Sequence, residues 1–179
     1  SEVQPGDRYF RIDLAKLERQ IASHPYIRSA DVRRKGLGTI NIVVREREEY
    51  AIIPYMGSFI YIDQDKVVLE VVTGYLEEDL PLITAVEFNS FKIGEEVDIV
   101  NQHLLDKVIE LIEVSQEIQI VDMISEINIG DANNIRLMTF DGIEVLLGQT
   151  EDLVYSMMTL KEILDDVEKE EIKKTLKRT

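Results

Sequence analysis

Apolar residues near the start of the chain first recur at helical spacing and then alternate with polar ones. One helical face carries Leu14, Leu17 and Ile21. Asp13 is placed to cap the start of this helix, and the Ser-His-Pro stretch at 23–25 ends it. Alternation follows on both sides of Gly36-Leu37-Gly38. The pattern predicts a helix over 14–22 packed on a β-hairpin over 30–46.

From residue 58 onward, short apolar runs alternate with longer helical patterns. We predict hairpins at 58–72 and 134–147, the second turning at Asp141-Gly142 because a tight turn needs positive φ. Between them, Asp98 is expected to cap a helix that continues to about Val114, and 118–129 is expected to be extended with a break near Met123. A last helix after Gly148 carries Leu153, Met157, Leu160 and Leu164 on one face. Strand groups with helices added between them predict an α+β fold, with a mixed sheet flanked by helices.

The charge of the chain changes sign near residue 50. Residues 1–50 hold ten Lys and Arg against eight Asp and Glu, a net charge of +2, whereas residues 51–179 hold ten against twenty-seven, a net charge of −17. We therefore expect two modules, 1–48 and 49–166, followed by a charged tail at 167–179. The overall net charge of −15 disfavours nucleic acid as a partner, because phosphate backbones would be repelled.

Residue types that carry catalysis or bind metals are scarce. The chain has no Cys, and its histidines, His24 and His103, lack a second His at helical spacing. Asp63 and Asp65 resemble the start of a calcium loop, but the positions that must be Gly and Glu are Val and Gly, so we interpret both as turn-forming carboxylates. The sequence lacks the nucleophile-elbow, P-loop and dinucleotide-binding motifs. It favours a protein without enzymatic activity, cofactor or bound metal.

One basic concentration belongs to the predicted hairpin. Its cations are Arg33, Arg34, Lys35, Arg45 and Arg47. They form either a solvated strand end or a surface that contacts anionic lipid head groups or an acidic partner. The residue types alone leave both interpretations open.

Short motifs, in the same order along the chain, resemble the FtsQ/DivIB cell-division family. In the first module they are 10–14 (FRIDL), 24–27 (HPYI), 30–32 (ADV) and 42–47 (IVVRER), which resemble the latter part of a POTRA domain. In the second module they are Ala51, 61–63 (YID), 80–84 (LPLIT), 125–127 (SEI), 141–148 (DGIEVLLG) and 160–164 (LKEIL). Among the family's branches, the DivIB proteins of Gram-positive-type bacteria resemble the chain more than the others.

The resemblance implies a partial POTRA domain at 1–48 and an FtsQ/DivIB-type β domain at 49–166. It implies a non-enzymatic divisome scaffold, whose parent has one transmembrane helix and an extracytoplasmic region at the division septum. Its partners would be the bitopic proteins FtsL and FtsB/DivIC, and the complex would help control septal peptidoglycan synthesis. A start at Ser1, with no apolar run long enough to cross a bilayer, fits an ectodomain whose anchor lies upstream. The alternative is a POTRA module that binds polypeptides in a protein-transport or membrane-assembly system.

Three departures from the family pattern carry further expectations. The chain begins almost at the Pro5-Gly6-Asp7 loop of the POTRA domain, so we expect an N-terminally truncated domain. Ala85 stands where the family often has glycine. The last helix is followed by a charged, helix-like stretch at 165–179 in place of the family's further strand, which is an edge where a partner pairs. We therefore expect the docking edge to shift inward.

The last helix carries apolar residues beyond those that its core face needs. Val154, Tyr155 and Met158 lie about 100° to 200° around the helix from Leu153. We predict that they bind a partner beside an exposed sheet edge, by addition of a partner strand. The alternative is that they cover another part of the same sheet.

Overall fold

The computed structural model describes residues 12–74, 80–131, 133–148 and 152–176, with side chains up to Val167. Its elements confirm the α+β fold, because a short helix and a hairpin are followed by a seven-stranded mixed sheet with flanking helices. No helix in these ranges is long and apolar enough to span a membrane. The expectations for Pro5-Gly6-Asp7 and for the end of the tail concern residues outside the described ranges.

The first module is a helix, α1 (Leu14–Ala22), packed on a hairpin of β1 (Ile27–Lys35) and β2 (Thr39–Glu46). Asp13 caps α1 as predicted, because its Oδ1 accepts the Lys16 amide at 3.0 Å. Val32 is buried, and its amide donates to Glu18 of the helix at 3.1 Å. The predicted hairpin is confirmed, with β1 beginning earlier, at Ile27.

The second module is built on one twisted layer of strands. In chain order these are β3 (Ala51–Tyr55), β4 (Ser58–Ile62), β5 (Val68–Thr73), β6 (Leu82–Thr84), β9 (Ile124–Asn128), β10 (Ile135–Thr139) and β11 (Glu144–Gly148). They lie in the order β11-β10-β9-β6-β3-β4-β5, with β6 parallel to both its neighbours and the other pairs antiparallel. The remaining strands, β7 (Phe88–Ser90) and β8 (Asp98–Ile99), pair with each other.

Two helices cover one face of this sheet. They are α2 (Gln102–Glu117) and α3 (Leu153–Leu176), which contact each other. Leu105, Val108 and Leu111 of α2 are fully buried against Ile83 and Ile127 of the sheet in one apolar cluster. The Lys161 Nζ of α3 donates to the Ile118 carbonyl at the end of α2, at 2.6 Å, where an unpaired carbonyl attracts a cation. The core therefore lies between the sheet and these helices.

The start of α2 corrects one prediction. Asp98 was expected to cap this helix, but it lies in β8, and its Oδ1 accepts the Asn89 side-chain amide at 3.0 Å. The helix begins after Asn101. Pairing of β8 with β7 takes Asp98 out of the helix, because Asp98 pairs with Ser90, eight positions upstream. The break expected near Met123 is a short 3₁₀ turn, Val121–Met123, before β9.

Strand register assigns side chains to the opposite, open face of the sheet. One row runs Leu146, Arg136, Asn128 and Thr84, and the next runs Glu144, Met138, Glu126 and Leu82. The first four strands of the order are therefore mostly polar on this face. At the other end, Ile52, Tyr61 and Leu69 form a second apolar cluster, and Tyr26 of the first module packs against it.

Charged side chains join the two modules at this end of the sheet. Arg47 forms ion pairs with Asp63 and Asp65, the second at 3.0 Å, and Arg28 reaches Asp65 at 2.9 Å. Burial alone would lower the pKa of Arg47, but its hydrogen bonds and ion pairs with the two aspartates outweigh burial and raise that pKa. The Tyr26 phenol donates to Glu49 at 2.5 Å, and burial together with Glu49 and Glu70 raises the pKa of Tyr26 well above its usual range. The junction is therefore held by packing and by charge.

Candidate partner-binding site

The outer face of α3 carries exposed apolar side chains. Met157, Leu160 and Leu164 are buried, which confirms the predicted core stripe. Val154 and Tyr155 are exposed, and Met158 is 55% exposed, so these three do not cover the sheet. Asp152 fixes the start of the helix, because its Oδ1 accepts the Tyr155 amide at 2.9 Å. We call Val154, Tyr155 and Met158 the α3 patch.

The sheet that precedes α3 in the chain has an outermost strand, β11, with one unpaired edge among the described strands. Strand β11 pairs with β10 on one side, and none of the described strands pairs with its other side. Leu153 follows Gly148 by five positions, so their Cα atoms lie at most about 18 Å apart. The first turn of α3 therefore begins within this distance of the end of β11. An unpaired strand edge next to apolar side chains is the arrangement that strand addition requires.

The opposite edge of the sheet differs, because part of it is already paired. Strand β5 is the other outermost strand. The Val68 amide donates to the Glu95 carbonyl at 2.9 Å, and the Gly94 amide donates to the Val68 carbonyl at 2.7 Å. These bonds occupy backbone groups that a partner strand would need. The β11 edge is thus the more accessible of the two.

Leu146 is a further candidate residue for this site and was missed from the sequence. It is an exposed apolar residue on the open face of β11, next to Arg136 across the strands. Val145 and Leu147 turn toward the core on the other face. A strand added beside β11 would place alternate side chains against Leu146 and against α3. The available signal was the run Val145-Leu146-Leu147, which breaks the alternation of a half-buried strand.

The predicted basic surface divides into two groups. Arg33, Lys35 and Arg45 are exposed and share the outer face of the hairpin, by the β1–β2 register. Arg34 is on the other face and donates to the Ile12 carbonyl at 2.8 Å. Including Arg47 was wrong, because its side chain is 16% exposed and is paired with Asp63 and Asp65. Its place at the module junction could not be seen in the local charge pattern.

Two of the remaining candidate residues, Asp63 and His24, accept hydrogen bonds from nearby backbone amides. Asp63 Oδ1 accepts the Asp65 and Val67 amides at 3.0 and 2.8 Å, so the turn-forming interpretation is confirmed for Asp63. His24 accepts the Tyr26 amide at 3.3 Å, and His103 is exposed on α2. Within the described ranges, no three His, Asp or Glu side chains group so as to hold a metal ion.

Comparison with known proteins defines the class to which this architecture belongs. The family model described as "POTRA domain, FtsQ-type" matches residues 1–47, and "Cell division protein FtsQ/DivIB, C-terminal" matches residues 51–177. The chain therefore belongs to the FtsQ/DivIB family of cell division proteins. The resemblance of the sequence motifs to this family is confirmed.

Individual relatives agree with this assignment. The chain is 27% identical over 146 residues to the cell division protein DivIB of Clostridium acetobutylicum, covering 82% of this chain and 53% of the relative. It is 28% identical over 173 residues to the cell division protein FtsQ of Anaeromyxobacter sp. (strain K), covering 95% and 57%. The chain thus spans about half the length of these relatives.

Among solved structures, the chain matches the major extracytoplasmic domain of the trans isomer of the cell division protein DivIB from Geobacillus stearothermophilus. The match has 17% sequence identity and a TM-score of 0.37. It covers 61% of this chain and 87% of that one.

Proposed function

We propose that the chain is the extracytoplasmic part of a single-pass membrane protein that acts as a non-enzymatic scaffold of the bacterial divisome. Its partners are FtsL and FtsB/DivIC-type bitopic proteins, and the complex helps control septal peptidoglycan synthesis. Family membership supports the role in cell division. The proposed domain organisation is a truncated POTRA domain at 1–48, the β domain at 49–166 and a charged tail at 167–179.

One observation carries the choice of binding site. The α3 patch is exposed although each of its three residues is apolar, and the helix follows β11, whose outer edge no described strand pairs. Apolar side chains that the core does not use are typical of an interaction surface. We propose that a partner strand pairs with β11 and that its side chains pack on the α3 patch and on Leu146.

The test compares two substitutions on the same helix. Met158→Glu places a charge in the α3 patch, whereas Ile163→Glu places it about 140° away around the helix. The two side chains are equally exposed, at 55% and 54%, so the variants are matched in burial. The readout is binding of the purified FtsL/DivIC-type ectodomain complex by isothermal titration, with the thermal midpoint as a check on folding.

Met158→Glu is expected to weaken binding roughly tenfold or more, the scale of losing an apolar anchor, with an unchanged midpoint. Val154→Glu and Tyr155→Ala should act in the same direction. Ile163→Glu should leave binding within about twofold of the wild type. Equal loss in both glutamate variants, or none in a folded Met158→Glu protein, would place the site elsewhere.

A further inference from the structure

The tip of the β1–β2 hairpin combines an exposed leucine with cations. Leu37 is 91% exposed, and it lies between Gly36 and Gly38, which have φ values of +67° and +97°. These left-handed glycines allow the chain to reverse within three residues and leave Leu37 at the outermost point of the turn. Arg33 and Lys35 lie just before it on the outer face of the hairpin. From this arrangement we propose that the hairpin tip docks on an anionic membrane surface, with Leu37 inserted among the lipids.

The local charge favours an anionic partner. Over residues 31–41 the outer face of the hairpin holds two cations, Arg33 and Lys35, against one carboxylate, Asp31. Asp31 pairs with Arg33 at 2.8 Å, but both side chains are exposed, and such a pair has little net energy and can be exchanged for a phosphate. Arg45 is on the same face, but it lies beside Ser29, about 20 Å from Lys35, and so does not contribute to the charge at the tip. The proposal does not require Arg34.

The acidic second module does not cancel this charge at the tip. The hairpin meets that module at its other end, where Arg28 pairs with Asp65. From Arg28 to Lys35 the strand rises by about 23 Å, at about 3.3 Å per residue. The Debye length at physiological salt is about 8 Å. The charge of −17 on residues 51–179 is therefore largely screened at the tip, and the local cations dominate the field there.

The shape of the tip favours a membrane over an acidic protein. Binding residues of protein interfaces usually fill pockets and are surrounded by a rim of contacts. Leu37 instead stands on a narrow convex turn, and the strand residues beside it, 33–35 and 39, are exposed. A leucine flanked by basic residues at such a turn can enter the boundary between head groups and acyl chains, while the cations stay at the phosphate level.

The sequence offers a clean experiment because the chain has no cysteine. Leu37→Cys can be labelled with an environment-sensitive fluorophore at a single position. Met56→Cys is the matched control, since Met56 is 88% exposed in the turn between β3 and β4, outside the basic hairpin. The vesicles are of phosphatidylcholine alone, or of equal parts phosphatidylcholine and phosphatidylglycerol.

We expect a blue shift and increased emission at position 37, and none at position 56, with the phosphatidylglycerol vesicles at low salt. High salt and pure phosphatidylcholine should abolish the change, because the contact depends on charge. An unchanged spectrum at position 37, or equal changes at both positions, would overturn the proposal.

Co-sedimentation of unlabelled variants separates the two contributions. Arg33→Ser with Lys35→Ser should reduce the affinity for phosphatidylglycerol vesicles about twenty-five-fold, or roughly fivefold for each cation removed. Leu37→Ser should reduce it about fivefold. Lys92→Ser, at an exposed lysine in the second module, and Met56→Ser should have no effect. Unaltered binding of the hairpin variants, with unaltered circular dichroism, would contradict the proposal, as would a wild-type chain that binds an acidic protein surface but no vesicle.

Discussion

Arg47 is the residue whose removal should most weaken the junction between the two modules. Its guanidinium lies between Asp63 and Asp65, with side-chain exposures of 16% for Arg47 and 2% for Asp63. In Arg47→Ala, Asp63 would remain buried with its charge uncompensated. We therefore expect a loss of stability rather than a neutral change.

The size of the loss follows from the contacts of Asp63. Removing one partner of a buried ion pair costs about 3–5 kcal/mol. Asp63 keeps two backbone amide donors, those of Asp65 and Val67, which still stabilise its negative charge. We therefore expect about 3 kcal/mol, the lower end of this range, for Arg47→Ala.

Arg28→Ala is the matched control, because it removes the other arginine at the same junction. The Arg28–Asp65 pair is partly exposed on both sides, so its loss should cost no more than about 1 kcal/mol. The assay is urea unfolding followed by circular dichroism, with the slope of the transition checked between variants.

Two results would refute this reasoning. One is a cost for Arg47→Ala that is no larger than that of Arg28→Ala. The other concerns the double variant Arg47→Ala with Asp63→Asn, which removes the uncompensated charge but keeps an acceptor for the turn. It should recover at least about 1 kcal/mol relative to Arg47→Ala alone, and a further loss in its place would show that charge burial is not the cause.

Four further predictions concern the second module. Ala85 has φ +59°, a left-handed conformation that costs an L-residue about 1–2 kcal/mol, so Ala85→Gly should raise stability by roughly 0.5–1 kcal/mol in urea unfolding. A Cβ at Gly130 would lie 3.0 Å from the Ala85 Cβ. The loss of stability caused by Gly130→Ala should therefore be larger in the wild type than in the Ala85→Gly variant, where that Cβ is absent. Equal losses in the two backgrounds would contradict the contact. Burial and the nearby charge of Glu113 raise the pKa of Tyr50 to about 12. The contribution of Tyr50 to the free energy of unfolding should therefore be constant below pH about 10 and fall as the pH rises toward 12. Tyr50→Phe should reduce this fall, as measured by urea unfolding at alkaline pH. Leu111 is fully buried in the core, and Leu111→Ala should cost about 2–5 kcal/mol, with a cost below about 1 kcal/mol contradicting its role there.

Local signals account for the elements that the sequence predicted well. The α1 helix has a cap and an apolar stripe within nine residues, and the β1–β2 hairpin has alternation around a glycine turn. Strands β3 and β6 lacked such signals. Strand β3 is a short run of apolar residues that includes Pro54, and strand β6 has only three residues. Strand β3 forms mainly by antiparallel pairing with β4, and β6 forms by parallel pairing with β3 and β9, which joins distant segments.

The candidate sites, too, were predictable only where the signal lies within a single helix or strand. The exposed side of α3 was predicted because helical geometry alone separates Met158 from the core stripe. The role of Arg47 depends on Asp63, which lies sixteen residues away in the turn between β4 and β5. Leu146 became part of the site because the strand order places β11 at the edge of the sheet. Sequence patterns give the faces of single elements, whereas edges and ion pairs between elements require the fold.

Amide hydrogen exchange with and without the FtsL/DivIC-type ectodomain complex would test the proposed strand addition most directly. A partner strand must form hydrogen bonds with the unpaired edge of β11, so exchange should slow in 144–148 as the partner concentration rises. Strand β5, at the opposite end of the sheet, serves as the internal control and should exchange at an unchanged rate. Protection of 144–148 together with the first turn of α3 is the predicted result. Binding that leaves 144–148 exchanging at its free rate, or that protects β5 instead, would contradict the account.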